Sequence, residues 1–260
     1  MSTFDDLPIT DEREVLSFLD RVPLALDRER FTRFALGFPH RYLSSTSPVE
    51  VLKHFALVDS MGQRGSISAI SRLEDHLKLV IVARDRRALF SQIAGSLALF
   101  GANILSAEAI ANTVGLVLDV FVVDDQEGQL RRNEDRRRLQ SFLEGVIEGN
   151  VDLAAELRRT APVPDSPVAL QPSWDDADSP TASVLRVGGR DSRGLLHQLT
   201  RILAEAGCNI EIARIATPDG KVDDEFHLTL DGGRVPEDVQ QRVTAALVSL
   251  GSGETLASGA

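Results

Sequence analysis

The chain of 260 residues holds one cysteine, one tryptophan and one tyrosine. A lone Cys208 excludes an intrachain disulfide framework and any cysteine-rich metal site. Positive charge is short: 28 Lys and Arg stand against 39 Asp and Glu, a formal charge of −11. The basic run Arg131–Arg138 is broken by Glu134 and Asp135 and reads as a solvated helix face, with a phosphate or acidic-partner patch as the alternative. That balance repels polyphosphates and anionic bilayers, so neither nucleic acid nor a membrane surface is expected as a partner. Long apolar runs are missing too. Leu79–Ala83 is strand-length, far below the roughly 20 residues a spanning helix needs. The acidic start Met1-Ser-Thr-Phe-Asp-Asp6 lacks an apolar signal core. The expectation is a cytoplasmic protein of about two domains.

Periodicity divides the chain. Residues 11–60 read as helices, with Asp11 and Ser47 as caps and Pro48 in a first turn. From Leu77 to Ala83 the spacing predicts a largely buried strand. A helix over 87–100, strands over 103–111 and 116–123, and a helix over 133–148 follow. Residues 168–173 suit a short strand and 174–180 a polar connector. Then the order recurs: strand 183–189, helix 194–206, strands 209–217 and 221–230, helix 236–250.

The recurrence is also written in residues. Residues 84–104 align without a gap on 190–210, sharing Arg84/Arg190, Asp85/Asp191, Arg87/Arg193, Leu89/Leu195, Gln92/Gln198, Gly101/Gly207, Asn103/Asn209 and Ile104/Ile210. After one extra residue in the first copy the match resumes at Ile110/Ile215, Gly115/Gly220, Asp119/Asp224 and Phe121/Phe226. One βαββα unit therefore occurs twice. Two copies are too few for a solenoid, so they should pair side by side or face to face.

Asp85 and Asp191 fall where a strand turns into a helix. Helix-start N–H groups are unpaired and the dipole is positive there, so the carboxylate of a free amino acid fits beside them. The Asp would cap the helix or receive an ammonium group. Asn103 and Asn209 open the next strand, with amides that tie the loop or meet a polar ligand. His197 is expected at a surface or interface, with ligand contact the alternative, and Cys208 in the core. Asp223-Asp224-Glu225 reads as a solvated strand edge rather than a metal cluster, because alternation sends neighbours to opposite faces.

Arg190-Asp-Ser-Arg-Gly-Leu-Leu196 and Gly207-Cys-Asn-Ile-Glu-Ile-Ala-Arg-Ile215 resemble the loop and second strand of the ACT domain family. The first copy keeps Asp85-Arg-Arg-Ala-Leu-Phe90 and Gly101-Ala-Asn-Ile104. Phe38–Glu50, Leu118–Asp125 and Val168–Asp178 are similar to flanking segments of the tandem ACT region that ends bacterial uridylyltransferase/uridylyl-removing enzymes. The resemblance implies an α+β fold: two ferredoxin-like βαββαβ ACT domains, over 76–174 and 181–260, preceded by a small helical segment over 1–75. Residues 168–173 would be the delayed fourth strand of the first domain, and Glu254–Ala257 a weak fourth strand of the second.

The resemblance also implies a small-molecule ligand, an amino acid with glutamine first. Its contacts would be Asp191, Arg193, Gly194, Leu195, Asn209 and Ile210 in the second copy and Asp85, Ala88, Leu89, Asn103 and Ile104 in the first. Gly194 favours the second loop, since a Cβ at Ala88 hinders close approach. Those enzymes need metal-holding Asp and His clusters. Here the segment before the first unit is too short for them, and no P-loop, Rossmann fingerprint or paired histidine motif occurs. A non-catalytic sensor is expected, without cofactor or metal, with a homodimer through the ACT domains or a protein partner possible. A truncated or divergent uridylyltransferase-type enzyme and a ligand-free interaction module are the rivals.

Overall fold

Each opening helix starts where a cap is written. In a computed structural model that describes residues 7–22, 26–125, 128–160, 169–179, 181–192 and 194–252, the Asp11 carboxylate accepts from the Arg13 N–H at 2.9 Å ahead of α1 (Glu12–Leu19). Asp27 accepts from the Arg30 N–H ahead of α2 (Arg28–Ala35). The short α3 (His40–Ser45) follows Pro39, and Ser47 with Pro48 opens α4 (Pro48–Met61). Phe18, Phe31, Phe34, Phe38 and Tyr42 pack ring against ring among these helices.

The sheet begins earlier than expected. Residues 66–73, inside the supposedly helical segment, form the strand β1 (Ser66–Leu73), hairpinned to β2 (His76–Arg84). Then come α5 (Leu89–Leu99), β3 (Asn103–Ala111), β4 (Leu116–Asp124), α6 (Asn133–Ile147), α7 (Leu153–Thr160) and β5 (Gln171–Asp175). The second copy supplies β6 (Ser183–Arg190), α8 (Leu195–Glu205), β7 (Asn209–Ala216), β8 (Lys221–Leu230), the two-residue β9 (Gly233–Arg234) and α9 (Glu237–Ser252).

Among the described residues the strands make one nine-stranded antiparallel sheet, ordered β1-β2-β4-β3-β7-β8-β6-β5 with β9 beside β8. The two ferredoxin-like units thus lie side by side, and pairing of β3 with β7 joins their strands into one sheet. That ladder is centred on Glu108 opposite Arg214, with Ser106 opposite Ala216 and Ile110 opposite Ile212 at its ends.

Two assignments are corrected by the ladders. Residues 168–173 are not the fourth strand of the first unit: β5, which reaches to Asp175, pairs with β6 of the second. The place beside β2 is already filled by β1, through a short local hairpin that costs far less loop entropy than a return from residue 171. The candidate fourth strand at 254–257 lies outside the described residues. The repeat's register slips as well. Ile110 packs on the face that meets the opening helices, whereas Ile215 packs on the face that meets α5 and α8. A one-residue slip flips a strand's faces, so the extra residue of the first copy falls after β3.

One face of the sheet carries α5, α6, α8 and α9 over a core of Leu79, Ile81, Leu97, Phe121, Leu185, Leu203 and Phe226. The other face of the first unit, with Val80, Val82, Ile110 and Leu118, is covered by α1–α4. Being covered twice makes Leu79–Ala83 continuously buried. The same face of the second unit shows Arg186, Arg214 and Glu225 as an ion-paired network.

Candidate functional site

β2 runs out at Arg84, and the Asp85 N–H donates to the Gly115 carbonyl at 2.9 Å. In the second copy the Asp191 N–H donates to the Gly220 carbonyl at 3.0 Å. Each loop enters its helix through a left-handed residue, Ala88 at φ 62° and Gly194 at φ 77°. Neither helix has a side-chain cap, so the two aspartates do not cap.

What they do instead follows from topology. β2 is antiparallel to β4 and β4 to β3, so β2 and β3 run the same way. Asp85, after β2, and Asn103, before β3, therefore sit at opposite ends of their own unit. Antiparallel β3–β7 pairing carries the start of each second strand to the loop of the other unit. The Asn209 amide accordingly comes beside Asp85, and the Asn103 amide beside Asp191, each helping to hold the carboxyl down, while Asn209 donates its hydrogen bond to Glu211 Oε1 at 3.0 Å. The expectation that the 191–195 loop meets Asn209 and Ile210 is thus corrected: that strand start faces the first loop. Arg193 lies outside the described residues. Leu89 and Leu195 are buried beneath the loops, and Ile104 and Ile210 pack half-buried at the strand starts.

Where the first loop meets the second unit there is a cavity of about 30 Å³, lined by Asp85, Ala88, Ser91, Asp119, Asn209 and Ile210 among others. That volume suits one water rather than an amino acid. Arg86, Ala88 and Ser91 also border an open groove of about 700 Å³ that runs past Leu153 to His197. The loop is therefore the wall between cavity and groove.

Burial raises the Asp85 carboxyl above its usual range, and the charge of Glu211 adds to it, against hydrogen bonds from Asn209 and the Arg86 N–H. Asp191 is raised by burial too, against bonds from Asn103 and the Ser192 N–H. Beneath each lies a second carboxyl that sequence reasoning passed over. Asp119, from β4, is 1% exposed. Neither of its oxygens has a hydrogen-bond partner among the described residues. Burial first, and the charge of Asp85 second, push it well up. Asp224 is 5% exposed. It accepts from the Ala216 N–H but is still raised to about 8, by burial and then by the charges of Asp191 and Asp223. The solvated-edge reading thus fails for Asp224, while exposed Asp223 and half-buried Glu225 lie on the opposite face. The signal was available: Asp119/Asp224 is an identical pair on the core-facing register of two apolar strands.

His197 lies at the helix–helix interface, its Nδ1–H donating to the Ser91 carbonyl at 2.9 Å. Cys208 is buried, as expected of a core residue. No group of three or more His, Cys, Asp or Glu that could hold a metal ion occurs among the described residues, nor any helix there long and apolar enough to cross a membrane.

Residues 183–247 match the ACT domain family. The chain is 32% identical over 211 residues to the bifunctional uridylyltransferase/uridylyl-removing enzyme of Rhodospirillum rubrum, taking in 77% of this chain and 22% of that enzyme. The enzyme of the same description from Phenylobacterium zucineum is 30% identical over 233 residues, 85% of this chain and 24% of its own. The chain thus spans under a quarter of the length of these curated relatives, and what it matches is their C-terminal region. A solved aspartate kinase from Synechocystis aligns over 72% of this chain and 42% of its own at 15% identity, with a TM-score of 0.21.

Proposed function

We propose that this chain is a regulatory sensor that binds a free amino acid where the loop of one unit meets the second strand of the other, and that it does no catalysis of its own. The observation that carries the reading is the reciprocal placement of Asn209 beside Asp85 and of Asn103 beside Asp191, each from the other unit. These are the polar groups an amino acid needs, at a seam to which both units contribute. The Leu89 and Leu195 N–H groups are taken by the Arg86 and Ser192 carbonyls, and the remaining first-turn N–H groups of α5 and α8 suit a carboxylate. Glutamine is the first candidate, on the resemblance to the tandem ACT region of uridylyltransferase/uridylyl-removing enzymes. The non-catalytic reading is supported by the match being confined to under a quarter of those enzymes.

A cavity of about 30 Å³ admits an amino acid only if the loop swings toward the groove, and that is how binding becomes a signal. The loop's helix, α5, crosses α8 of the other unit, so an opened loop shifts one unit against the other. The same small volume favours a second reading, a pairing module whose Asp–Asn bonds close the seam without a ligand.

Thermal unfolding with each of the twenty amino acids separates the two. A ligand at a hundred times its Kd adds about 2.7 kcal/mol, and at about 2–4 °C per kcal/mol the midpoint should rise by roughly 5–10 °C. Asn209→Ala and Asp85→Ala should weaken the response together, as should the Asn103→Ala and Asp191→Ala pair. No response to any amino acid refutes the sensor and leaves the module.

A further inference from the structure

Asp119 has no role in the fold that its neighbours reveal. It sits in the middle of β4, between Ile81 on β2 and Ala109 on β3, where every other side chain facing α5 is apolar. A carboxyl there without a partner costs stability, because its solvation is lost and nothing replaces it. It nevertheless lines the small cavity at the seam, directly under the loop that carries Asp85.

We propose that Asp119 is a ligand-binding residue, the counter-charge for the ammonium group of the molecule bound at the first loop, with Asp224 holding the mirror position at the second. This rests on the amino-acid reading above and adds the atom that reads the amine. The α5 start and loop N–H groups take the anionic end of a zwitterion, and the floor of the cavity offers a carboxyl for the cationic end. Asp85 is engaged by Asn209 and the Arg86 N–H, whereas both Asp119 oxygens lack partners among the described residues. Asp224 has one oxygen on the Ala216 N–H and one without a partner there, so the first site is the stronger receptor.

A proton balance follows. The titratable groups lining the cavity are Asp85, Arg86, Asp119 and Cys208, and Glu211 lies close enough to raise Asp85. The other lining residues of α5, β3 and α8, including Phe90, Ala109 and Thr200, carry no charge. Burial, and then the charge of Asp85, raise the Asp119 carboxyl and so favour its protonated form. When the ammonium docks, the carboxyl O–H bond breaks, the carboxylate pairs with the ammonium, and the proton passes to the buffer. Binding should therefore release up to one proton at this site, and affinity should rise with pH.

The experiment uses the full chain, wild type and Asp119→Asn, in thermal shift and calorimetry. The probes are L-glutamine, glutaramic acid (glutamine without its amine) and 4-aminobutyramide (glutamine without its carboxylate). Where another amino acid gives the largest thermal response, that amino acid and its two truncated analogues replace them. Four results support the proposal: binding by the amino acid, at least tenfold weaker binding by the des-amino acid, an equal loss at this site in Asp119→Asn, and proton release, seen as buffer-dependent heat, that is smaller in Asp119→Asn than in wild type. The variant's own midpoint should stay level or rise, since a neutral amide replaces an uncompensated acid; a structural role would lower it.

Equal amino-acid affinity in wild type and variant overturns the Asp119 assignment while leaving the sensor intact. If no amino acid binds but 4-aminobutyramide does, through Asp119, the sensor falls and the assignment stands. If nothing binds, both fall. Stabilisation by magnesium alone, abolished in Asp119→Asn, overturns the assignment in favour of a metal ion. Should Asp119→Asn fail to fold, the wild-type proton release and the des-amino comparison decide alone, and absence of either overturns it.

Discussion

Gly95→Ala is the sharpest probe of the seam between the two units. Gly95 is buried in α5 where α8 crosses it. A Cβ added there would lie 2.7 Å from His197 Nδ1, 2.8 Å from His197 Cε1 and 3.0 Å from Leu153 Cδ2. His197 cannot simply step aside, because its Nδ1–H donates to the Ser91 carbonyl at 2.9 Å. Overpacking costs about 1–3 kcal/mol, and a lost hydrogen bond about 1 more. Replacing a mid-helix glycine with alanine returns about 1 kcal/mol of helix propensity. The net is a destabilisation of about 1–3 kcal/mol, a fall of roughly 2–12 °C at about 2–4 °C per kcal/mol. The assay is a double-mutant cycle by thermal and urea unfolding. In a His197→Ala background the contact is relieved, and Gly95→Ala should be neutral or stabilising by up to about 1 kcal/mol. A Gly95→Ala single variant that is as stable as wild type, or additivity across the cycle, would refute the claim that this glycine lets the units approach.

Four further outcomes are expected. His54, buried under Tyr42, is held down to about 4 by burial and then by the Lys78 charge. A histidine kept neutral by the fold contributes fully above its unfolded value of about 6.5. About 3 kcal/mol should therefore be lost as pH falls from 6.5 to 4, a limb that His54→Gln should flatten in urea titrations at each pH. Ala88→Gly should stabilise by up to about 1 kcal/mol, since an L-residue in the left-handed region costs about 1–2 kcal/mol against about 0.5–1 for glycine's entropy. Gly194→Ala should cost a similar amount through φ alone, as its Cβ meets nothing within 4 Å; equal midpoints for these variants and wild type would be the contrary result. Gly37→Ala should cost more than about 2 kcal/mol, because its Cβ would clash with the Thr113 hydroxyl and lie 3.0 Å from the Thr113 N at a φ of 85°, prising the opening helices from the β3–β4 turn; an unchanged denaturation midpoint would contradict this.

Local signals in the chain were enough to specify most elements. Caps at Asp11 and Ser47, the alternation around Leu79, and the repeated Arg-Asp and Gly-x-Asn-Ile segments placed helices, strands and the doubled unit, because each depends on residues within one turn or one strand. Where a local signal was weak, the element was missed. β1 is rich in serine and lies at the sheet edge, and α7 is a short helix whose Leu153 is buried against its neighbours.

The site was legible as residue types but not as a constellation. Asp85, Asn103, Asp191 and Asn209 stand out because each recurs in the same sequence context. Which aspartate meets which asparagine depends on strand direction and on β3 pairing with β7, contacts more than a hundred residues apart that no local pattern encodes. The second strand edge followed the same logic: β5 went to the second unit because β1 had already closed the first. Asp119 shows the difference most sharply. Its position on an apolar strand is written in the sequence, but the cavity that it shares with Asp85 and with Asn209 of the other unit, where neither of its oxygens has a partner among the described residues, exists only once two units share one sheet.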